Sequence, residues 1–114
     1  MKLNKQEFIR TKAIENLNDP EGREILWSRH GITELLNDDL NRIEVEKAFT
    51  TCEIIEDCPT QHRPLPDCLV LSLLKNSKPI HAVVAIDENS DRIFVVTVYR
   101  PSKERWENDW RTRK

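Results

Sequence analysis

Residues 68–99 read CLVLSLLKNSKPIHAVVAIDENSDRIFVVTVY, and the fold turns on how this stretch is parsed. Three runs rich in Val, Ile and Leu, Cys68–Leu74, Ile80–Ile86 and Arg92–Tyr99, are separated by Asn76-Ser77-Lys78-Pro79 and Asp87-Glu88-Asn89-Ser90-Asp91. β-branched runs punctuated by tight polar turns predict strands joined as an antiparallel meander. Glu53–Glu56 reads as a fourth strand, reached across residues 57–66, whose three prolines mark an exposed loop.

Upstream the hydrophobic period lengthens from two to that of a helix. Asn4-Lys5-Gln6-Glu7 has the order of a helix start, because the Asn side chain accepts from the free amide three residues on. A first helix should carry Phe8, Ile9, Ala13, Ile14 and Leu17 inward and end at Asn18-Asp19-Pro20. Glu24–Trp27 is short and apolar, an edge strand or a lead-in. Ser28 then caps a second helix with Ile32, Leu35, Leu36 and Leu40 inward, and Asn41 caps a third carrying Val45, Ala48, Phe49 and Cys52. Helices in front and a meander behind give an α+β two-layer domain, with the helices on one face of a sheet of about four antiparallel strands.

With 114 residues the chain is read as a single domain: a helical extension over 1–24, a core over 25–106 and a basic tail over 107–114. The net charge is −2, without the basic excess of an ordinary nucleic-acid clamp. The charge is nevertheless unevenly placed: residues 34–57 hold eight acids and two bases, whereas Val98–Lys114 holds six bases and three acids around Trp106 and Trp110. The acidic surplus falls where a DNA-reading helix would lie, so DNA reading is rejected. The basic, aromatic tail is the surface expected to meet a partner, with Trp106 packed on the domain. No apolar run approaches the roughly 20 residues that cross a bilayer, and a soluble, cytoplasmic protein without a membrane partner is expected. The three cysteines are an odd number and should be free thiols. Cys52, Cys58, His62 and Cys68 have zinc-ligand chemistry but no C-x-x-C spacing, so no metal is expected. With only two glycines, Gly22 and Gly31, there is no phosphate-cradling loop, and no cofactor is expected.

Chemistry could reside in a few polar residues. His30 falls in the first turn of the second helix, near an anion-binding end, where a structural helix-start residue is the competing reading. His81 opens a central strand, where a buried imidazole needs a partner or a cleft. Strict alternation puts Thr97 and Tyr99 on one face at the exit of the last strand, beside Arg100. A hydroxyl, a phenol and a guanidinium there could hold a phosphate, with Arg63 of the Pro-rich loop as a second cation. The competing reading is a Tyr99 that caps the core and an Arg100 that is solvated.

Trp27-Ser28-Arg29-His30-Gly31, Pro79-Ile80-His81-Ala82-Val83-Val84-Ala85 and Thr97-Val98-Tyr99-Arg100-Pro101 with Trp106 beyond together resemble a small domain family. That family is usually grouped with the RelE/ParE-like toxins of bacterial toxin–antitoxin pairs, and the resemblance covers about residues 25–110. It implies two N-terminal helices on a curved antiparallel sheet, a cognate antitoxin as partner, and RNA as a substrate where the relative is RelE-like. Ser28, His30, His81, Thr97, Tyr99 and Trp106 match its pattern. The expectation is thus a metal-independent endoribonuclease with His30 and His81 as acid and base in unresolved order. Tyr99 would act as hydrogen-bond donor, with Ser28, Arg63, Thr97 and Arg100 on the substrate. Glu34 and Asp38 stand where arginines often follow the histidine, which favours the alternative: a non-catalytic protein-interaction module of the same fold.

Overall fold

The computed structural model describes residues 4–57 and 65–114. Three helices, α1 (Lys5–Leu17), α2 (Arg29–Asn37) and α3 (Arg42–Ala48), and a 3-10 turn over Phe49–Thr51 accompany five strands. The strands are β1 (Ile25–Trp27), β2 (Glu53–Asp57), β3 (Asp67–Leu73), β4 (Pro79–Asp87) and β5 (Arg92–Tyr99), in the spatial order β1-β5-β4-β3-β2. The α+β class and the meander hold, but the sheet has five strands and is mixed. Glu24–Trp27 supplies the fifth, pairing parallel to β5 with Ile25 opposite Ile93 and Trp27 opposite Val95. A strand 65 residues upstream of its partner is free of the hairpin constraint that makes the other pairs antiparallel.

All three helix starts are capped as the sequence implies: Asn4, Ser28 and Asn41 accept from the amides of Glu7, Gly31 and Glu44. Two inward-facing assignments fail. In α1 the buried stripe is Ile9, Lys12, Ala13 and Asn16, while Ile14 and Leu17 are exposed. The helix is rotated by its polar tethers: Lys12 Nζ lies 2.7 Å from Glu15 and 2.6 Å from Asp91, and Asn16 bonds the Ile25 amide and Glu46, both at 3.2 Å. In α2, Gly31 and Leu35 face β5 and Leu36 is 72% exposed. Asp39, at φ +52, ends α2 in a left-handed turn in which the amides of Asp39 and Leu40 bond the carbonyls of Leu36 and Leu35, and this returns Leu40 to the core.

The core lies between the helices and one face of the sheet, with Ile80, Ala82, Val84 and Ile86 of β4 against Ile9, Leu35, Val45 and Phe49. Two β-bulges determine what occupies the other face. In β2, Ile54 pairs with Val70 but Glu56 with Leu69, so Ile55 is the extra residue. In β5, Val84 pairs with Val95 but Val83 with Thr97, so Val96 is extra. Each bulge shifts the alternation by one. The face away from the helices therefore carries the cross-strand rows Glu53, Leu71, His81, Tyr99 and Glu56, Leu69, Val83, Thr97.

Candidate functional site

That face is covered by the end of the chain. After Pro101 the chain folds into a small hairpin: the Glu107 amide bonds the Thr112 carbonyl (2.8 Å), the Lys114 amide bonds that of Arg105 (2.9 Å), and Trp106 bridges to Arg113. The tail of the sequence reading is thus not a free basic arm. Arg111 forks Glu53 at 2.6 and 3.0 Å, and Arg113 forks Glu56 at the same two distances. Beyond the exit of β5, the Arg100 amide bonds the Asp38 carboxylate at 2.9 Å and its guanidinium bonds the Asp38 backbone carbonyl at 3.2 Å. The two opposed charge runs meet in space and partly neutralise each other. The paired arginines hold both carboxyls, Glu53 and Glu56, below their ordinary pKa.

His81 lies under this hairpin and is fully buried. Its Nε2 is 2.7 Å from the Trp110 carbonyl, which can only accept, so Nε2 carries the proton and Nδ1 accepts from the Tyr99 hydroxyl at 3.3 Å. The indole of Trp106 stands edge-on to the imidazole at 4.3 Å between centroids, and the Tyr99 ring at 5.4 Å. Burial lowers the pKa of His81; the Trp110 carbonyl and Glu56 oppose the shift and Arg113 adds to it. Burial likewise raises the Tyr99 phenol. The neutral imidazole is the stable form, with both ring nitrogens occupied.

The other predicted residues are placed as follows. His30 is on α2, on the helical side of the sheet, with a side chain 65% exposed and 3.7 Å from Glu34; it shares no contact with His81. Ser28 is fully engaged as a cap: its Oγ accepts from the Gly31 amide (2.9 Å) and donates to the carbonyl of the bulge residue Val96 (2.7 Å). Thr97 is half-buried on the His81 face, two residues from Tyr99. Arg63, with Cys58 and His62, lies outside the described residues. Cys52 and Cys68 are buried free thiols, pushed up to about 11 and about 12 by desolvation. Among the described residues no group of three or more His, Cys, Asp or Glu is arranged to hold a metal, and no helix is long and apolar enough to cross a membrane.

One solvent-open cleft, of about 450 Å³, adjoins the buried pair. Tyr99, Arg100, Ser102, Arg105, Trp106 and Arg113 line it. Arg113 lies over Trp106, its guanidinium 4.7 Å from the centre of the ring. Arg105 is exposed and makes no ion pair among the described residues. Of this group the sequence reading had singled out only Tyr99 and Arg100 as binding residues. Arg105 and Arg113 count there as tail charge; the signal for them is that six bases follow Tyr99 on both sides of Trp106.

No curated protein and no solved structure matches this chain. Residues 27–100, from the end of β1 to the exit of β5, match the family described as Domain of unknown function (DUF4258). The matched span holds Ser28, His30, His81, Thr97, Tyr99 and Arg100, but neither α1 nor the hairpin that covers His81. The chain therefore belongs to the DUF4258 family.

Proposed function

We propose that this domain is a toxin-type RNA-binding module that holds the phosphates of single-stranded RNA in the cleft at the exit of β5, and that with its hairpin closed it does not cleave them. The observation that supports this reading is that Arg100, Arg105 and Arg113 line one open cleft together with Tyr99 and Ser102. Planar guanidiniums fork phosphate oxygens, and hydroxyls complete such a shell. Trp106 is buried and serves as floor rather than as a stacking platform.

Cleavage needs a base at the 2′-hydroxyl and an acid at the leaving oxygen, both within reach of one phosphate. His81 has both nitrogens engaged beneath the hairpin, and His30 stands on the other layer. The non-catalytic form of the toxin-like reading is therefore favoured over the endoribonuclease. A cognate antitoxin protein and a cytoplasmic setting, where the thiols stay reduced, belong to the same reading.

Fluorescence anisotropy with a labelled single-stranded oligoribonucleotide tests it. With Arg113 paired to Glu56, Arg100 and Arg105 are the cations left for phosphate, so neutralising up to two phosphates predicts a slope of about −1.4 for the logarithm of affinity against the logarithm of salt, and Arg100→Ala with Arg105→Ala should weaken binding about tenfold. The RNA should run intact on a denaturing gel after incubation. Binding that ignores both substitutions removes the cleft from the argument. RNA cut by the unsubstituted chain but not by His81→Ala would restore the nuclease.

A further inference from the structure

The hairpin of residues 105–114 is attached to the sheet in an unusual way. Among the described residues no backbone hydrogen bond joins it to a strand. It is held by the two Arg–Glu forks, by the His81 Nε2 bond to the Trp110 carbonyl and by Trp106. That carbonyl belongs to a tryptophan at φ +61, a left-handed conformation that a bulky residue adopts only when its surroundings impose it. The hairpin also under-fills the face. Between it and β3 lies a cleft of about 440 Å³, walled by Glu53, Leu71, Leu73, Asp109, Trp110 and Arg111.

The chemistry of the face follows from what now sits on it. Glu53 and Glu56 each take one guanidinium, and the two arginines are Arg111 and Arg113, one residue apart. Side chains at i and i+2 of an extended segment point the same way, roughly 7 Å apart. His81 Nε2 adds one donor for a backbone carbonyl just ahead of them. Two carboxylates on this surface would repel an RNA backbone or an acidic peptide.

We propose that this face of the sheet is a docking surface for an extended basic segment of a partner protein, carrying two arginines one residue apart, and that the chain's own Arg111-Thr112-Arg113 holds the place in cis. A partner segment would exchange with residues 107–114 while Trp106 stays seated, and an added apolar side chain would fill the space beside Leu71 and Leu73. The proposal rests on Glu53, Glu56 and His81 and does not require RNA binding; the two readings share Arg113, which a segment displacing residues 107–114 would carry out of the arginine cleft.

The test uses the full chain carrying Arg111→Glu and Arg113→Glu, and a fluorescent peptide with the sequence of residues 107–114. The opened chain should bind the peptide at least about tenfold more tightly than the unsubstituted chain, whose tethered tail competes at high effective concentration. Adding Glu53→Gln and Glu56→Gln to the opened chain should abolish binding, as should replacing both arginines of the peptide by alanine. A folded, opened chain that ignores the peptide overturns the proposal, and so does binding that survives the two glutamines. Should the opened chain not fold, hydrogen–deuterium exchange on the unsubstituted protein decides. Excess peptide must speed exchange of the amides of residues 107–114, and unchanged exchange overturns the proposal.

Discussion

Gly31→Ala separates what the sequence advises from what the packing allows. By helix propensity alone the change should stabilise α2 by up to about 1 kcal/mol. In the structure, a Cβ on Gly31 would lie 2.7 Å from the Val95 carbonyl oxygen, 3.2 Å from Ser28 Oγ and 3.4 Å from the Trp27 ring. The first distance is well inside van der Waals contact, and its partner is backbone at the β5 bulge, which cannot swing aside as a side chain can. The helix start must lift off β5, loosening the Ser28 cap and the Ser28–Val96 bond with it. Overpacking costs about 1–3 kcal/mol, and the upper half of that range applies where the clashing atom is backbone; about 2–3 kcal/mol less a propensity gain of about 1 leaves roughly 1–2 kcal/mol of net destabilisation. For a domain of this size that is a fall in Tm of about 4–8 °C. Differential scanning calorimetry of the two proteins at neutral pH reads it directly. A Tm equal to or above that of the unsubstituted chain would refute the close packing of α2 on β5 and the placement of Ser28 that depends on it.

Three further outcomes are expected. Since the folded pKa of His81 lies below the unfolded value of about 6.5, the unfolded chain takes the proton first. Stability should be complete above that pH and fall below it by at most about 1.4 kcal/mol per unit. Tyr99, Glu56 and Arg113 face the same ring, and Glu56 titrates lower still, so a Tm flat between about pH 7.5 and pH 5.5 would contradict a buried neutral His81. Glu46→Ala should lower stability by about 3 kcal/mol in urea unfolding, because it orphans the Trp27 indole (2.8 Å) and the Asn16 amide (3.2 Å) in a buried setting. Cys52 and Cys68 should resist iodoacetamide in the native protein and react once it is denatured, as peptide mass mapping would show.

Much of this protein was legible in the chain. Capping residues and 3.6-residue spacing located the three helices, because those signals are local and act within one or two turns. Turn clusters separated the meander strands for the same reason, and Trp106 was read as a packed residue. Other features had no local signature. Ile14, Leu17 and Leu36 are apolar at helical spacing yet exposed, because Lys12 and Asn16 in α1 and the close approach of Gly31 in α2 set each helix's rotation. Counting by twos placed Thr97 and Tyr99 together, but not with His81. Whether they share its face depends on the bulge at Val96, just as Glu56 joins Glu53 only through the bulge at Ile55. A bulge inverts the parity of everything beyond it, and it is chosen by register and by long-range contacts such as Ser28 to Val96, not by the bulged residue itself. Composition revealed a basic tail and an acidic stretch. Only the tertiary structure laid one upon the other, because Arg111 and Glu53, 58 residues apart in sequence, become neighbours only when the sheet has formed and the chain has turned back across it.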